Sequence, residues 1–309
     1  MYRIADAHCD TLSALGIERL PEARCAVTAS RLGAGGVGLQ TFALFSGGQG
    51  LCGAPYVRGR IQLAALKQVN VPFLTGELPS EFPQTPHGVL SIEGGEMLEG
   101  SLERYAEFDR AARPRMIALT WNHENEIACP AAGSSRQGLK PFGRRLLREM
   151  NRRGCLADVS HLNEAGFWEL IDLSELPPIA SHSNCRALCG HCRNLTDGQI
   201  RALIERGGFM GINFYARFLR EEGPVTLEDV FRHIDRVAQM GGIGILGFGS
   251  DFDGIDEWPE GLASPQDFPR LMDLLASHGY REEDLQAIAH KNLYRLLLAA
   301  QSHRTCSQI

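Results

Sequence analysis

Residues 5 to 12, ADAHCDTL, place His8 and Asp10 two positions apart just after a short apolar run. On a β-strand, residues i and i+2 leave the same face, so a strand through Arg3 to Cys9 presents an imidazole and a carboxylate side by side. Such a pair can hold a divalent metal. One H-x-D is a common surface accident, so its weight depends on whether similar groups recur. They do: Glu93, His123, His161, His182 and Asp251 each stand at or just beyond the end of a β-rich run. His8, His161 and His182 with Asp10 and Glu93 offer nitrogen and oxygen without thiolate, a donor set that suits zinc, with manganese or cobalt as alternatives. A glutamate can bridge two ions roughly 3.5–4 Å apart, and a water between them is a hydroxide near neutral pH. The natural chemistry of that inventory is hydrolysis.

The elements that must position these groups are short and regularly spaced. Eight β-rich runs occur at 2–8, 37–45, 88–94, 115–122, 155–161, 178–183, 209–215 and 243–251. Helical periodicity fills most of the intervals. Leu285, Ile288, Ala289, Leu293, Leu296 and Leu297 make one buried stripe. Thr226 and Asp229 form a capping-box pair. In 142–153, Leu146, Leu147 and Met150 face inward, whereas Arg144, Arg145, Arg148, Arg152 and Arg153 form a solvated face. Eight strands alternating with helices predict a (β/α)8, TIM-like barrel over residues 1–309 as one catalytic domain. In that fold all strand ends named above share one rim, where catalytic groups gather. The stretch 71–77 reads as a small extra strand.

Bulk properties narrow the function. The chain has 309 residues, 44% hydrophobic and 22% charged, as in ordinary soluble globular proteins. A net charge of -6 and a pI near 5.9 argue against nucleic acid or an anionic membrane as the main partner. No G-x-G-x-x-G or P-loop motif offers a phosphate cradle. No signal peptide or membrane span is expected, so a cytoplasmic location with reduced thiols is predicted.

The motifs DAHCDT, SIEGGE, LTWNH, ADVSH, ASHSN followed by Arg193-Asn194, and GSDFDG occur in that order between residue 3 and about residue 298. Together they resemble the renal (membrane) dipeptidase family, peptidase M19, of the amidohydrolase superfamily. The resemblance implies a dipeptidase with two zinc ions per chain, His8, Asp10 and Glu93 on one and Glu93, His161 and His182 on the other, Glu93 bridging. It implies that His123 and Arg193 contact the substrate, that Asp251 is the acid/base and also touches substrate, and that a D-residue is tolerated at the C-terminal position. In this reading His123 donates to the oxyanion and Arg193 forks onto the free carboxylate of a small dipeptide. A homodimer is implied by the same analogy. One departure is Glu96, where family members often have histidine after EGG.

Rival readings start from the same residues. A lactonase, phosphotriesterase or deaminase-like amidohydrolase shares barrel and metals but not SIEGG with Arg193. Cys185, Cys189 and Cys192 form C-x3-C-x2-C, the spacing of an iron–sulfur radical enzyme. That motif belongs after a first strand, and here it follows the sixth, so packed or loop thiols are the expected state. Cys9, between His8 and Asp10, points to the opposite face and is expected to pack.

Overall fold

The structure, a computed structural model, describes residues 1–45, 47 and 53–306. Eight parallel strands close into a barrel in sequence order. They are β1 (Ile4–Asp6), β2 (Val37–Phe45), β3 (His87–Glu93), β4 (Met116–Ala118), β5 (Leu156–Asp158), β6 (Ile179–Ala180), β7 (Phe209–Ile212) and β8 (Leu246–Phe248). Seven lie inside a run predicted from sequence, and β3 begins one residue before its run, at His87. Apart from β2 and β3 the strands are shorter than their runs, whose carboxyl-terminal parts leave the ladder and turn over the rim. The run 243–251 also begins in a 3-10 turn, Ile243–Ile245, before β8 starts.

Closure extends past the ladder itself. Asp251 N–H donates to His8 O at 3.2 Å and Asp10 N–H to Phe252 O at 2.9 Å, so the segments following β1 and β8 stay zipped together. The 71–77 stretch contributes a single bridge, Phe73 with Gly88.

Helices pack outside the barrel as their apolar stripes require. Pro141–Arg153 buries Leu146, Leu147 and Met150 and ends at Gly154, whose φ of 63° supplies the left-handed cap. Three of its five arginines are paired: Arg144 meets Glu169, and Arg152 and Arg153 both meet Glu149. In Leu227–Gln239, Asp229 accepts from Thr226 N–H at 2.9 Å, as the capping pair predicted. The stripe from Leu285 to Leu297 is fully buried, but it is not one regular α-helix. A π-turn over Ala287–Lys291 separates Glu282–Gln286 from Asn292–Cys306. Leu293, Leu296 and Leu297 pack with Ala5, Leu39, Val89, Met116, Leu156, Ile179 and Phe209, one residue from each of the first seven strands. Among the described residues no helix is long and apolar enough to cross a membrane.

Candidate functional site

Glu93 is the last residue of β3, His8 lies two residues beyond β1, and His182 two beyond β6. His161 and Asp251 each follow their strand by three, and both adopt left-handed backbone, with φ of 66° and 63°. Non-glycine residues in that region are strained, and such strain clusters at functional sites. Nearby Gly254 has no room for a side chain: a Cβ there would collide with Asp10 Oδ2 and Asp251 Oδ1.

The result is a tight buried cluster. Glu93 Oε1 stands 3.0 Å from His161 Nε2 and 3.4 Å from His182 Nε2, while Oε2 is 3.6 Å from His8 Nε2. His8 Nε2 is also 3.2 Å from Asp10 Oδ2 and 3.7 Å from Asp251 Oδ1. Two triads, His8–Glu93–His182 and His8–Asp10–Asp251, bring their donor atoms within 4.8 Å of one another.

The layer beneath fixes the rings. His161 Nδ1 lies 2.9 Å from Asn122 Oδ1, an acceptor, so that nitrogen carries the proton. His182 Nδ1 lies 2.7 Å from Ser181 Oγ, whose own proton goes to Asp158 Oδ2, so it too is the donor. Both Nε2 atoms are therefore lone pairs, and they face each other at 3.1 Å across Glu93. Burial and the positive neighbours His8 and Arg193 hold both imidazoles neutral, well below the usual histidine range. That is the metal-ligating form.

The carboxylates pull the other way. Burial pushes the Glu93 pKa well up, and Asp10 adds to it. Burial opposes a charge on His8, but Glu93, Asp10 and Asp251 outweigh it and raise its pKa to about 10. Asp251 is raised to about 6, chiefly by burial. Asp10 Oδ1 is buried and has no hydrogen-bond partner among the described residues. Converging lone pairs, an orphaned carboxylate oxygen and a field that draws protons onto His8 all call for positive charge, and the nitrogen and oxygen donors fit divalent cations.

A cavity of about 650 Å³ opens over the cluster, lined by Asp10, Glu93, His161, Arg193 and Asp251 among others. Arg193 is buried, its Nε has no partner among the described residues, and its guanidinium lies 5.6 Å from the Phe218 ring centre.

His123 is the site residue that the fold does not bring in. It is exposed, its ring lies edge-on to Trp121 at 5.6 Å, and it does not line the cavity. Strand β4 ends at Ala118, and in the turn that follows Trp121 and Asn122 face the cavity instead. This placement gives no support to the oxyanion role expected of His123. Glu96 accepts from Asn125 Nδ2 at 3.0 Å, and the same amide nitrogen holds Leu119 O, so Glu96 anchors the turn after β4.

The cysteine motif disperses. Cys185 Sγ donates to His233 O, Cys189 Sγ to Arg217 O, and Cys192 is exposed. Burial raises the Cys185 thiol to about 12, and Cys9 is packed against Thr11. Sequence reasoning passed over Asp6, Asp158, Asn122, Asn213, Trp121 and Tyr215. The first two sit two or three residues before a site histidine, which was the available signal; the amides and aromatics carried none.

A closed (β/α)8 barrel with imidazoles and carboxylates gathered at the carboxyl ends of its strands is the architecture of metal-dependent hydrolases. The chain belongs to the membrane dipeptidase family, peptidase family M19, whose model matches residues 2–308, and it is a metallo-dipeptidase. A Rhodobacter sphaeroides metallopeptidase, solved with a phosphinate mimic of the dipeptide L-Ala-D-Ala, is 26% identical with a TM-score of 0.87, covering 96% of this chain and 98% of that one. Another metallopeptidase of the family, dipeptidase AC, is 27% identical with a TM-score of 0.85 over the same shares of both chains. An uncharacterized Klebsiella pneumoniae protein from the pqqA 5' region is 36% identical over 219 residues, 68% of this chain and 80% of that protein.

Proposed function

We propose that this metallo-dipeptidase works with two zinc ions, His8, Asp10 and Glu93 holding one and Glu93, His161 and His182 the other. The observation that carries this reading is the carboxylate of Glu93 set between the facing Nε2 lone pairs of His161 and His182 on one side and His8 on the other. Such ions, when bound, acidify a water and polarise the scissile carbonyl. Asp251 accepts the proton of the attacking water and returns it to the leaving amine. Arg193 holds the free C-terminal carboxylate of the substrate through a guanidinium fork, which confines cleavage to short peptides. Because a relative binds a mimic of L-Ala-D-Ala, a D-residue at the C-terminal position is included among the substrates.

The test is hydrolysis of L-Ala-L-Ala, L-Ala-D-Ala and their C-terminal amides by protein stripped with a chelator and reloaded with zinc, with metal counted by elemental analysis. About two zinc per chain, with turnover of the free acids and poor turnover of the amides, is expected. Arg193→Ala should lower kcat/KM on the free acid by about 30-fold or more and change the amide little, since one interaction cannot be lost twice. Equal wild-type rates on acid and amide would remove Arg193 from this role; iron with acid-labile sulfide would overturn the hydrolase assignment.

A further inference from the structure

We infer that Asn213 is a positioning residue for Asp251, fixing which of its two carboxylate oxygens handles the proton. The inference rests on the acid/base role proposed for Asp251 and adds a residue to it. Asn213 follows β7 and is fully buried. Its Nδ2 donates to Asp251 Oδ2 at 2.9 Å, and its Oδ1 accepts the Tyr215 N–H at 2.6 Å. The second bond decides the first: a flipped amide would set an NH2 group against the Tyr215 N–H, donor against donor.

The backbone of Asn213 is held equally firmly. Its N–H donates to Asn184 Oδ1 at 3.0 Å and its carbonyl accepts from Asn184 Nδ2 at 2.9 Å. Asn184 lies two residues after His182, and its own carbonyl accepts the N–H of Leu195, two residues after Arg193. The amide facing Asp251 is thus tied to the β6 end and to the loop carrying Arg193.

The consequence is chemical. With Oδ2 engaged as an acceptor, a proton taken up by Asp251 resides on Oδ1, the oxygen that faces His8 at 3.7 Å. In peptide hydrolysis the water oxygen bonds to the carbonyl carbon, the C–N bond breaks, and the leaving nitrogen takes its proton from Asp251 Oδ1. An aryl ester needs no such delivery, because its phenoxide departs with the C–O electron pair unprotonated.

The experiment uses zinc-loaded full-length protein and two substrates: L-Ala-L-Ala, and L-alanine esterified to the hydroxyl of 3-hydroxybenzoate, which keeps a carboxylate for Arg193. Asn213→Asp is nearly isosteric and keeps the acceptor for Tyr215 N–H but turns the donor toward Asp251 into an acceptor; Asn213→Ala removes both. Both variants should lose about 10- to 100-fold in kcat on the dipeptide, the usual cost of removing such a supporting partner. KM and zinc content of Asn213→Asp should stay near wild type, its melting temperature should drop because two carboxyl groups now face each other, and its kcat on the aryl ester, which uses only the proton-accepting half of the role, should fall clearly less than on the dipeptide. Parallel losses on both substrates, or no loss on either, would overturn the inference. Asp251→Asn serves as the reference. Selective loss of dipeptide turnover there, with Asn213 variants unimpaired, overturns the positioning role alone, whereas wild-type turnover by Asp251→Asn overturns the acid/base assignment as well.

Discussion

Two tiers of buried acid lie in this barrel, and they differ in how completely the protein answers them. In the lower tier, Asp6 accepts from Gln40 Nε2 at 3.0 Å, Ser250 N–H at 2.9 Å and Ser250 Oγ at 2.5 Å. Asp158 accepts from Ser160 N–H at 2.9 Å, Ser181 N–H at 3.0 Å and Ser181 Oγ. Asp253 lines the cavity yet belongs with them, its oxygens taken by Thr11 and by the N–H groups of Ala26 and Val27. In the upper tier, Asp10 Oδ1 has no partner among the described residues and Glu93 faces imidazole nitrogens. Imidazoles divide the same way. His233 accepts from Cys185 N–H and donates to Leu219 O, each at 3.0 Å, so both nitrogens are engaged within the protein. His161 and His182 each direct one nitrogen at Glu93. A buried polar group completed by its own chain supports the fold; one left incomplete is built to meet something else.

That contrast can be broken at either tier. The largest effect is expected for Glu93→Gln, which keeps shape but removes the charge shared between the two halves of the cluster. Zinc content and activity should both collapse while the melting temperature of the metal-free protein holds or rises; near wild-type occupancy would show that Glu93 is not shared. Asp251→Asn should keep its metal and lose about 10²–10⁴ in kcat, the usual contribution of a general acid–base. Zinc loss in that variant, measured alongside the rate, would move Asp251 among the ligands.

The lower tier should respond through affinity and stability. Asp158→Asn weakens the Ser181 bond that orients His182, so zinc affinity should drop about 10- to 100-fold in competition with a chelator. Asp6→Asn sets an amide NH2 against the donors around it and should cost about 1–3 kcal/mol in denaturant unfolding, with zinc retained. Should Asp6→Asn strip the metal as Glu93→Gln does, the two tiers are one.

The last effect concerns pH. Burial lowers the His233 pKa to about 4, against about 6.5 in an unfolded chain. Between those values the unfolded chain takes up a proton that the folded one refuses, so stability falls as pH drops through the window, by up to about 1.4 kcal/mol per pH unit, and this group is silent above it. His233→Gln should flatten that slope in metal-free protein; an unchanged slope would assign it to other groups.

What was legible in the sequence follows from which signals are local. Strand runs ending in imidazoles or carboxylates could be read because period and residue type coincide at each rim position, as in β1 with His8 and β3 with Glu93. The placement of His123 could not, because alternation guides a side chain only while the ladder lasts, and β4 stops at Ala118. Asp6 and Asp158 have the same residue type as the proposed ligands, so only their hydrogen bonds separate support from ligation. The π-turn at Ala287–Lys291 is invisible to a helical stripe that absorbs one extra residue without losing its apolar face.

The zipped segments after β1 and β8 carry a consequence for how the enzyme is born. Ser250 reaches Asp6 across 244 positions, and Asp251 and Phe252 join His8 and Asp10 by backbone hydrogen bonds. A chain emerging from the ribosome makes His8 and Asp10 long before Asp251 and Phe252, so their surroundings stay incomplete until β8 and the segment after it have been made. Joining segments so distant carries a loop-closure cost that only late contacts repay. Completion of the enclosed site is thereby placed after β8 has been made, and a nascent chain lacking β8 should emerge without the enclosed site rather than with half of it.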